Sequence, residues 1–510
     1  MKKAIVISLV AILLNSACVF AQTPYAENQK EFTSAYDSYI RRTMEKIPDI
    51  PGFAIVVVRD DKPIFVRGYG MANKEAGTKA DADTLFYIAS STKSFTALAA
   101  ALLDKEGKIK LSDPVTKYAA GINLKNPLPE KITIRDLLTH TSALKNEALT
   151  FRMAYSGDVD TKDMARVFGE ATAYSDIDYG KYRYDNLGYN IYGVLLQNHL
   201  KKKWQDLLQE RIFDPMGMKH TTAYISKAAS RKWTVAQPYI FSGVAGKTSL
   251  SPLGKTDNNM QSAGGIFASA SDIGRWLNMN MNGGMLDGRQ VIPAEIVRAA
   301  QTGYTKTTRD APPFTGDGEY GLGWQIGKYK NEKVIYHHGG FPGYRSHISF
   351  MPDKRIAVAV LVNDGSAGGR AGHMLATYAY DWWLRTADLE ADYSKQLQEL
   401  YDGYERGKQQ IAAAAADRSN RISQLSLPAA DYAGKYSNEY FGTIDITAIG
   451  NELTLRMGNI KTIATAYTEK ETIRVEITPG SGEVVKFIRD ASEKIGSLSY
   501  AGVTFIRTKP

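Results

Sequence analysis

The chain has 510 residues, 44% hydrophobic and 10% aromatic, which excludes a fibre or a disordered polymer and leaves room for two folded domains. Its formal charge of +9 raises the question of nucleic acid, but the Lys and Arg are scattered and the chain opens on an export signal. A dispersed basic surface near anionic envelope polymers accounts for the charge, and no nucleic-acid partner is expected.

Met1-Lys-Lys3, the apolar run 4–14 and Val19-Phe-Ala21 read as a secretory signal peptide over residues 1–21, cut after Ala21. This places the protein in the periplasm or outside the cell. The alternative is a lipoprotein acylated at Cys18, for which Asn15 is a poor fit. Cys18 is the only cysteine, so after cleavage there is no disulfide, thiolate nucleophile or cysteine metal site. No later segment holds about 18 uninterrupted apolar residues, and no transmembrane segment is expected in the mature chain. Helical spacing predicts a first helix over 28–47, and the runs 53–59 and 63–69 around a polar turn predict a β-hairpin.

The stretch Phe86-Tyr-Ile-Ala-Ser-Ser-Thr-Lys-Ser-Phe-Thr-Ala97 then sets Ser90 and Lys93 three residues apart at the start of an apolar helix, 91–104. Positions i and i+3 share a helix face, so the amine can lie beside the hydroxyl. A serine alcohol needs an adjacent base, and a desolvated lysine can serve as one. By itself Ser-x-x-Lys is a weak signal, with roughly three matches expected by chance in such a chain. The second match, Ser142 to Lys145, has no apolar helix behind it. Without the helix context, Ser90 reads as an ordinary N-cap. Residues 104–114 form a turn into a short helix, and 134–142 a helix ending in a loop. Strands with a helical segment inserted between them suggest an α+β or α/β domain of two regions.

Tyr184 and Asn186 precede the apolar helix 187–200. A phenol near a lysine ammonium can accept and donate a proton, and an amide can orient a carbonyl or the lysine. With 30 tyrosines in the chain, a packed Tyr and an Asn turn are the plain alternative. The third cluster, Val334-Ile-Tyr-His-His-Gly-Gly-Phe-Pro-Gly-Tyr-Arg-Ser346, reads as a strand ending in a glycine-rich turn before strands 347–351 and 356–362. Gly339 and Gly340 let a ligand approach the backbone, so that an edge N–H can face an oxyanion. His337 and His338 sit on opposite sides of a strand and no His-Glu-x-x-His occurs, so no metal is expected.

Residues 388–422 are charged and alanine-rich and fit a solvated connecting helix. The alternating segments 442–448, 452–456, 483–489 and 503–507 then predict a small antiparallel barrel or sandwich.

The order Ser-x-x-Lys, Tyr-x-Asn, His-x-Gly, supported by Leu137-Leu-Thr-His-Thr-Ser142 and Ser262-Ala-Gly-Gly-Ile-Phe-Ala-Ser-Ala-Ser-Asp272, resembles the serine β-lactamase-related hydrolases. These include class C β-lactamases, D,D-carboxypeptidases, D-aminopeptidases and esterases. The tail is similar to the lipocalin-like β-domain appended to some members. The resemblance implies an α+β, β-lactamase/transpeptidase-like domain, with an antiparallel sheet flanked by helices plus a helical region, followed by a small antiparallel β-barrel. The expected division is 22–387 hydrolase, 388–425 helical linker and 426–510 barrel. The resemblance also implies Ser90 as acylated nucleophile, Lys93 as its activator, Tyr184 as proton shuttle, and Asn186, His337 and Gly339 as substrate-binding residues. The N–H groups of Ser90 and Gly340 would form the oxyanion hole. No cofactor or metal is implied.

The implied substrate is a D-amino-acid-containing peptide or a peptidoglycan fragment. Alternatives are a small ester, weak β-lactam hydrolysis, or a penicillin-binding sensor without turnover. His337 stands where class C β-lactamases carry the lysine of Lys-Thr-Gly, and a group expected to titrate near neutrality there weakens the case for strong β-lactamase activity. Tyr184-Asp-Asn186 replaces the commoner Tyr-Ser-Asn, and Ala143 stands where the family usually has glycine. The tail is expected to serve packing or oligomerisation, or to cover the cleft and restrict substrates by size.

Overall fold

The structure, a computed structural model, describes residues 23–121, 130–167, 172–173, 179–243, 246–307, 312–476 and 482–508. The signal-peptide residues and Cys18 lie outside them. Helix α1 (Thr23–Lys46) leads into the hairpin β1 (Gly52–Arg59) and β2 (Lys62–Asn73), followed by α2 (Thr92–Lys105), α3 (Glu147–Tyr155), α4 (Leu187–Leu200) and α5 (Ala270–Met281). The chain then returns through β3 (Glu332–Phe341), β4 (Tyr344–Met351) and β5 (Ile356–Val362), and continues into α6 (Gly368–Trp383) and α7 (Leu389–Ser419).

Strands β3, β4, β5, β1 and β2 lie side by side in one nine-stranded antiparallel sheet. β1 and β5 are its buried middle, because Phe53–Arg59 and Ile356–Val362 are almost wholly apolar and no residue of either is exposed. Alternation splits β1 between two cores. Phe53, Ile55 and Val57 face α1 and α6, whereas Ala54, Val56 and Val58 face the helical region that carries α2 and α5. Burial of both faces drives this three-layer stack, at about 25 cal/mol per Å2 of apolar surface removed from water. Helix α2 is buried nearly all round, with Phe95 stacked on Trp276 at 3.8 Å between ring centres.

The stretch 134–142 is a helix ending in a loop, as expected: the helix, capped at its start by Thr133 and Asp136, closes at Leu138. It stops because His140 takes a left-handed conformation, φ +61°, which a continuing helix cannot accommodate. The predicted strand 347–351 is longer, Tyr344–Met351, since the Phe341↔Tyr344 pair closes a tight hairpin.

The C-terminal strands form a second nine-stranded antiparallel sheet, nearly closed into a barrel. Its inward positions, such as Ile444, Ile446, Leu453, Leu455 and Phe487, alternate with exposed ones. The barrel abuts α3. The Tyr500 ring lies 6.0 Å from that of Phe151, and Asn459 N donates to the Ser156 carbonyl at 2.8 Å. Gly442 has φ +74°, a left-handed conformation that favours glycine, and it faces the Arg152 guanidinium of α3. Among the described residues no helix is long and apolar enough to cross a membrane.

Candidate active site

Ser90 lies in a short 3-10 turn, Ala89–Ser91, that runs into α2. The turn is held in an unusual shape, with Ala89 at φ +46° while fully buried, a conformation costing about 1–3 kcal/mol that persists only where its surroundings enforce it. Three contacts do so. Ser91 Oγ donates to the His337 carbonyl at 3.0 Å, Ser346 Oγ donates to the Ile88 carbonyl at 2.9 Å, and the two serine oxygens are 2.9 Å apart. At Gly339 an added Cβ would sit 2.0 Å from the Ile88 carbonyl oxygen. Strand β3 therefore reaches the Ser90 turn only because that position lacks a side chain.

The helical spacing brings Lys93 to Ser90 as expected. Its Nζ lies 3.2 Å from Ser90 Oγ, 2.7 Å from Asn186 Oδ1 and 2.8 Å from the Ala263 carbonyl oxygen, which uses all three donors of an ammonium. Burial holds the amine down from 10.5 to about 7, against the opposing pull of the Asp185 carboxylate. Asn186 occupies the N-cap position of α4 but makes no side-chain cap there, its amide oxygen being taken by Lys93. The Lys93 ammonium also lies 4.9 Å from the centre of the Tyr184 ring.

His337 differs from expectation. The imidazole is buried, with Nδ1 2.8 Å from the His338 carbonyl oxygen and Nε2 3.3 Å from the Tyr320 hydroxyl. Burial first and the Lys93 charge second push it down to about 3, so it stays neutral where titration near neutrality was expected. Its Nδ1–H donates to the His338 carbonyl, leaving Nε2 to accept from Tyr320.

His140 is a participant to which the sequence assigned no role, although it sits inside the quoted Leu137–Ser142 stretch. Its ring is 4.5 Å from that of Tyr184 and 4.7 Å from that of Tyr320. The carbonyls of His140 and Thr141 accept from Arg183 N and Gly180 N at 2.8 and 3.0 Å, fixing the loop that carries Tyr184.

Two cavities meet at this point. One, of about 450 Å3, is bordered by Ser90, Tyr184, His337, Gly339 and Gly340 and extends to His338, His347 and His373. The other, of about 510 Å3, is bordered by Ser90, Tyr184, Asn186, Gly340 and, from α3, Phe151 and Tyr155. Ser90, Tyr184 and Gly340 border both. The seven residues singled out in the sequence thus lie together, and the geometry suits acyl transfer: an alcohol beside an amine whose pKa burial lowers to about 7, with glycine backbone opposite.

The sequence profile of the Beta-lactamase family matches residues 40–380, and the chain belongs to that family of serine hydrolases. Among curated relatives, the unguisins hydrolase ungD of Aspergillus violaceofuscus is 25% identical over 434 residues, covering 79% of this chain and 74% of the relative. Among solved structures, the octameric penicillin-binding protein homologue from Pyrococcus abyssi superposes with a TM-score of 0.59 at 24% identity, over 93% of this chain and 99% of the other. The D-amino acid amidase from Ochrobactrum anthropi SV3 gives 0.56 at 20% identity, over 70% and 98%.

Proposed function

We propose that this chain is an exported serine hydrolase that cleaves amide bonds through an acyl-enzyme on Ser90, acting first on D-amino-acid-containing peptides or peptidoglycan fragments. The observation that carries this reading is Lys93, buried 3.2 Å from Ser90 Oγ with its pKa lowered to about 7. Ser90 Oγ attacks the substrate carbonyl and a C–O bond forms. The hydroxyl proton passes to the Lys93–Tyr184 pair, and the N–H groups of Ser90 and Gly340 hold the oxyanion. The C–N bond then breaks and the amine leaves with that proton. Water, deprotonated by the same pair, attacks the ester, and the carboxylate departs as the Ser90 hydroxyl is restored. Asn186 keeps Lys93 aimed and meets the substrate amide, and His337 and Gly339 line the substrate's path along β3.

Hydrolysis as the reaction is supported by the name of one relative, a hydrolase, and amide cleavage by the name of one structural neighbour, an amidase. The neutral His337 argues against an engineered-in-place cation for a β-lactam carboxylate. The division into 22–387, 388–425 and 426–510, with removal of residues 1–21, belongs to the same proposal, as does a lipocalin-like C-terminal barrel that narrows the cleft through α3.

Intact mass against time tests this, using the mature protein and Ser90→Ala, each mixed with a D-Ala-D-Ala peptide, an activated ester and a penicillin. A transient adduct on the wild type alone, with product released from the peptide, is expected. A permanent penicillin adduct without turnover of the others replaces the hydrolase by a sensor. Turnover of the ester alone replaces the peptidase by an esterase.

A further inference from the structure

His338 leaves the sheet on the side away from Lys93. It pairs in register with His347 of β4, so both rings stand on one face of the sheet, where α6 brings His373 against them. Ring centres are 4.7 Å apart for His338 and His347, 4.4 Å for His338 and His373, and 5.1 Å for His347 and His373. One ring nitrogen from each lies within 4.8 Å of the others, and the Nδ1 atoms of His347 and His373 are 2.8 Å apart.

We propose that His338, His347 and His373 bind one divalent transition metal of the zinc class, with a fourth coordination position open to the cavity that also reaches Ser90. Imidazole nitrogens at about 2.0–2.1 Å from a tetrahedral ion stand about 3.3 Å from each other. The His347–His373 pair therefore parts by about half an ångström and His338 closes by at most about 1.5 Å, within the reach of ring rotation. Three imidazoles without thiolate or carboxylate select zinc, copper or nickel over calcium or magnesium.

The outer contacts are those a metal-binding imidazole needs. His347 Nε2 lies 2.7 Å from Ser349 Oγ, which lies 2.7 Å from the Tyr380 hydroxyl. With Nε2–H donating to Ser349, the lone pair of His347 falls on Nδ1, toward His373. In the metal-free chain His373 Nδ1–H fills that gap, and on binding its proton moves to Nε2, so both rings remain neutral. Phe314 packs 5.9 and 5.4 Å from the His338 and His347 ring centres, excluding water from that side. Arg345 and Arg370 border the same cavity. Their charge opposes a cation and so favours an anion, such as a carboxylate, as fourth ligand.

The mature chain, stripped with a chelator, is titrated with ZnCl2 alone by calorimetry and weighed under native conditions, and separately titrated with Co2+. One equivalent of zinc, the strong visible absorption of tetrahedral Co2+, and loss of about 10- to 100-fold or more in affinity for His373→Ala and His338→Ala support the site. Ser90→Ala is expected to bind as wild type does. Because a variant can lose binding by misfolding, the two histidine variants are checked by circular dichroism and by ester labelling of Ser90, and the cobalt spectrum of the wild type stands independently of them. Binding of less than half an equivalent, absence of the cobalt band, or wild-type affinity in folded His373→Ala overturns the proposal.

Discussion

Ser90 to Lys93 and Ser142 to Lys145 share a tetrapeptide pattern and differ in everything that gives it chemistry. In the first, a 3-10 turn passes into a buried helix, so the two side chains lie on one face, and Lys93 is desolvated. In the second, Ala143 has φ +55° and Leu144–Lys145 is a two-residue strand paired with Thr172–Ala173. Ser142 is buried, and its Oγ accepts a long bond, 3.4 Å, from Leu144 N. Lys145 borders the α3 side of the cleft. A spacing becomes a nucleophile and base only when helix geometry sets the pair together and burial weakens the amine's hold on its proton.

The largest break in that comparison is expected from Ser90→Ala, which should abolish the covalent adduct and lower turnover by about a thousand-fold or more. Ser142→Ala should label normally and change stability by no more than about 1 kcal/mol, and mass spectrometry with thermal unfolding reads both. Next, Tyr184→Phe should reduce turnover by roughly a hundred-fold with folding intact; wild-type rates in that variant would remove the phenol from the proton path. A smaller effect sharpens the comparison through pH. The neutral Lys93 amine gains population as pH rises, so acylation should climb through an apparent pKa of about 7. His337, already neutral, should add no limb between pH 5 and 8, as a pre-steady-state acylation profile would show. Smallest of all, Tyr500→Ala on the barrel should leave small activated esters untouched and change KM for long peptides by about a few-fold, acting through Phe151 and the position of α3.

Most of the site was legible because its parts are local. A helix face sets Ser90 against Lys93, a helix start places Asn186, and glycines mark where β3 approaches the turn. The neutral state of His337 was not legible, because it depends on burial by residues far away in the chain and on the nearby Lys93 charge. The histidine cluster was half legible. Alternation correctly separated His337 from His338, but the reading stopped there. His338 and His347 stand equally far from the hairpin turn between Phe341 and Tyr344, and counting outward from that turn would have paired them. His373 reaches them only through the packing of α6 on the sheet, which no spacing in the sequence encodes. The antiparallel strands of the tail were legible from alternation, which left barrel and sandwich both open, whereas their contact with α3 rests on Gly442, Asn459 and Tyr500, scattered residues that carry no local pattern.

The buried lysine links proton binding to folding. The unfolded chain holds a proton on this side chain up to its ordinary value of 10.5, while the folded chain releases it at about 7. Between those values unfolding takes up a proton, so this group's contribution to stability rises with pH. Its unfavourable part, of the order of 5 kcal/mol, is fully present below pH 7 and gone above pH 10.5. Folding and activity therefore favour the same protonation state, and alkalinity selects the form of Lys93 that is both easiest to bury and able to take a proton.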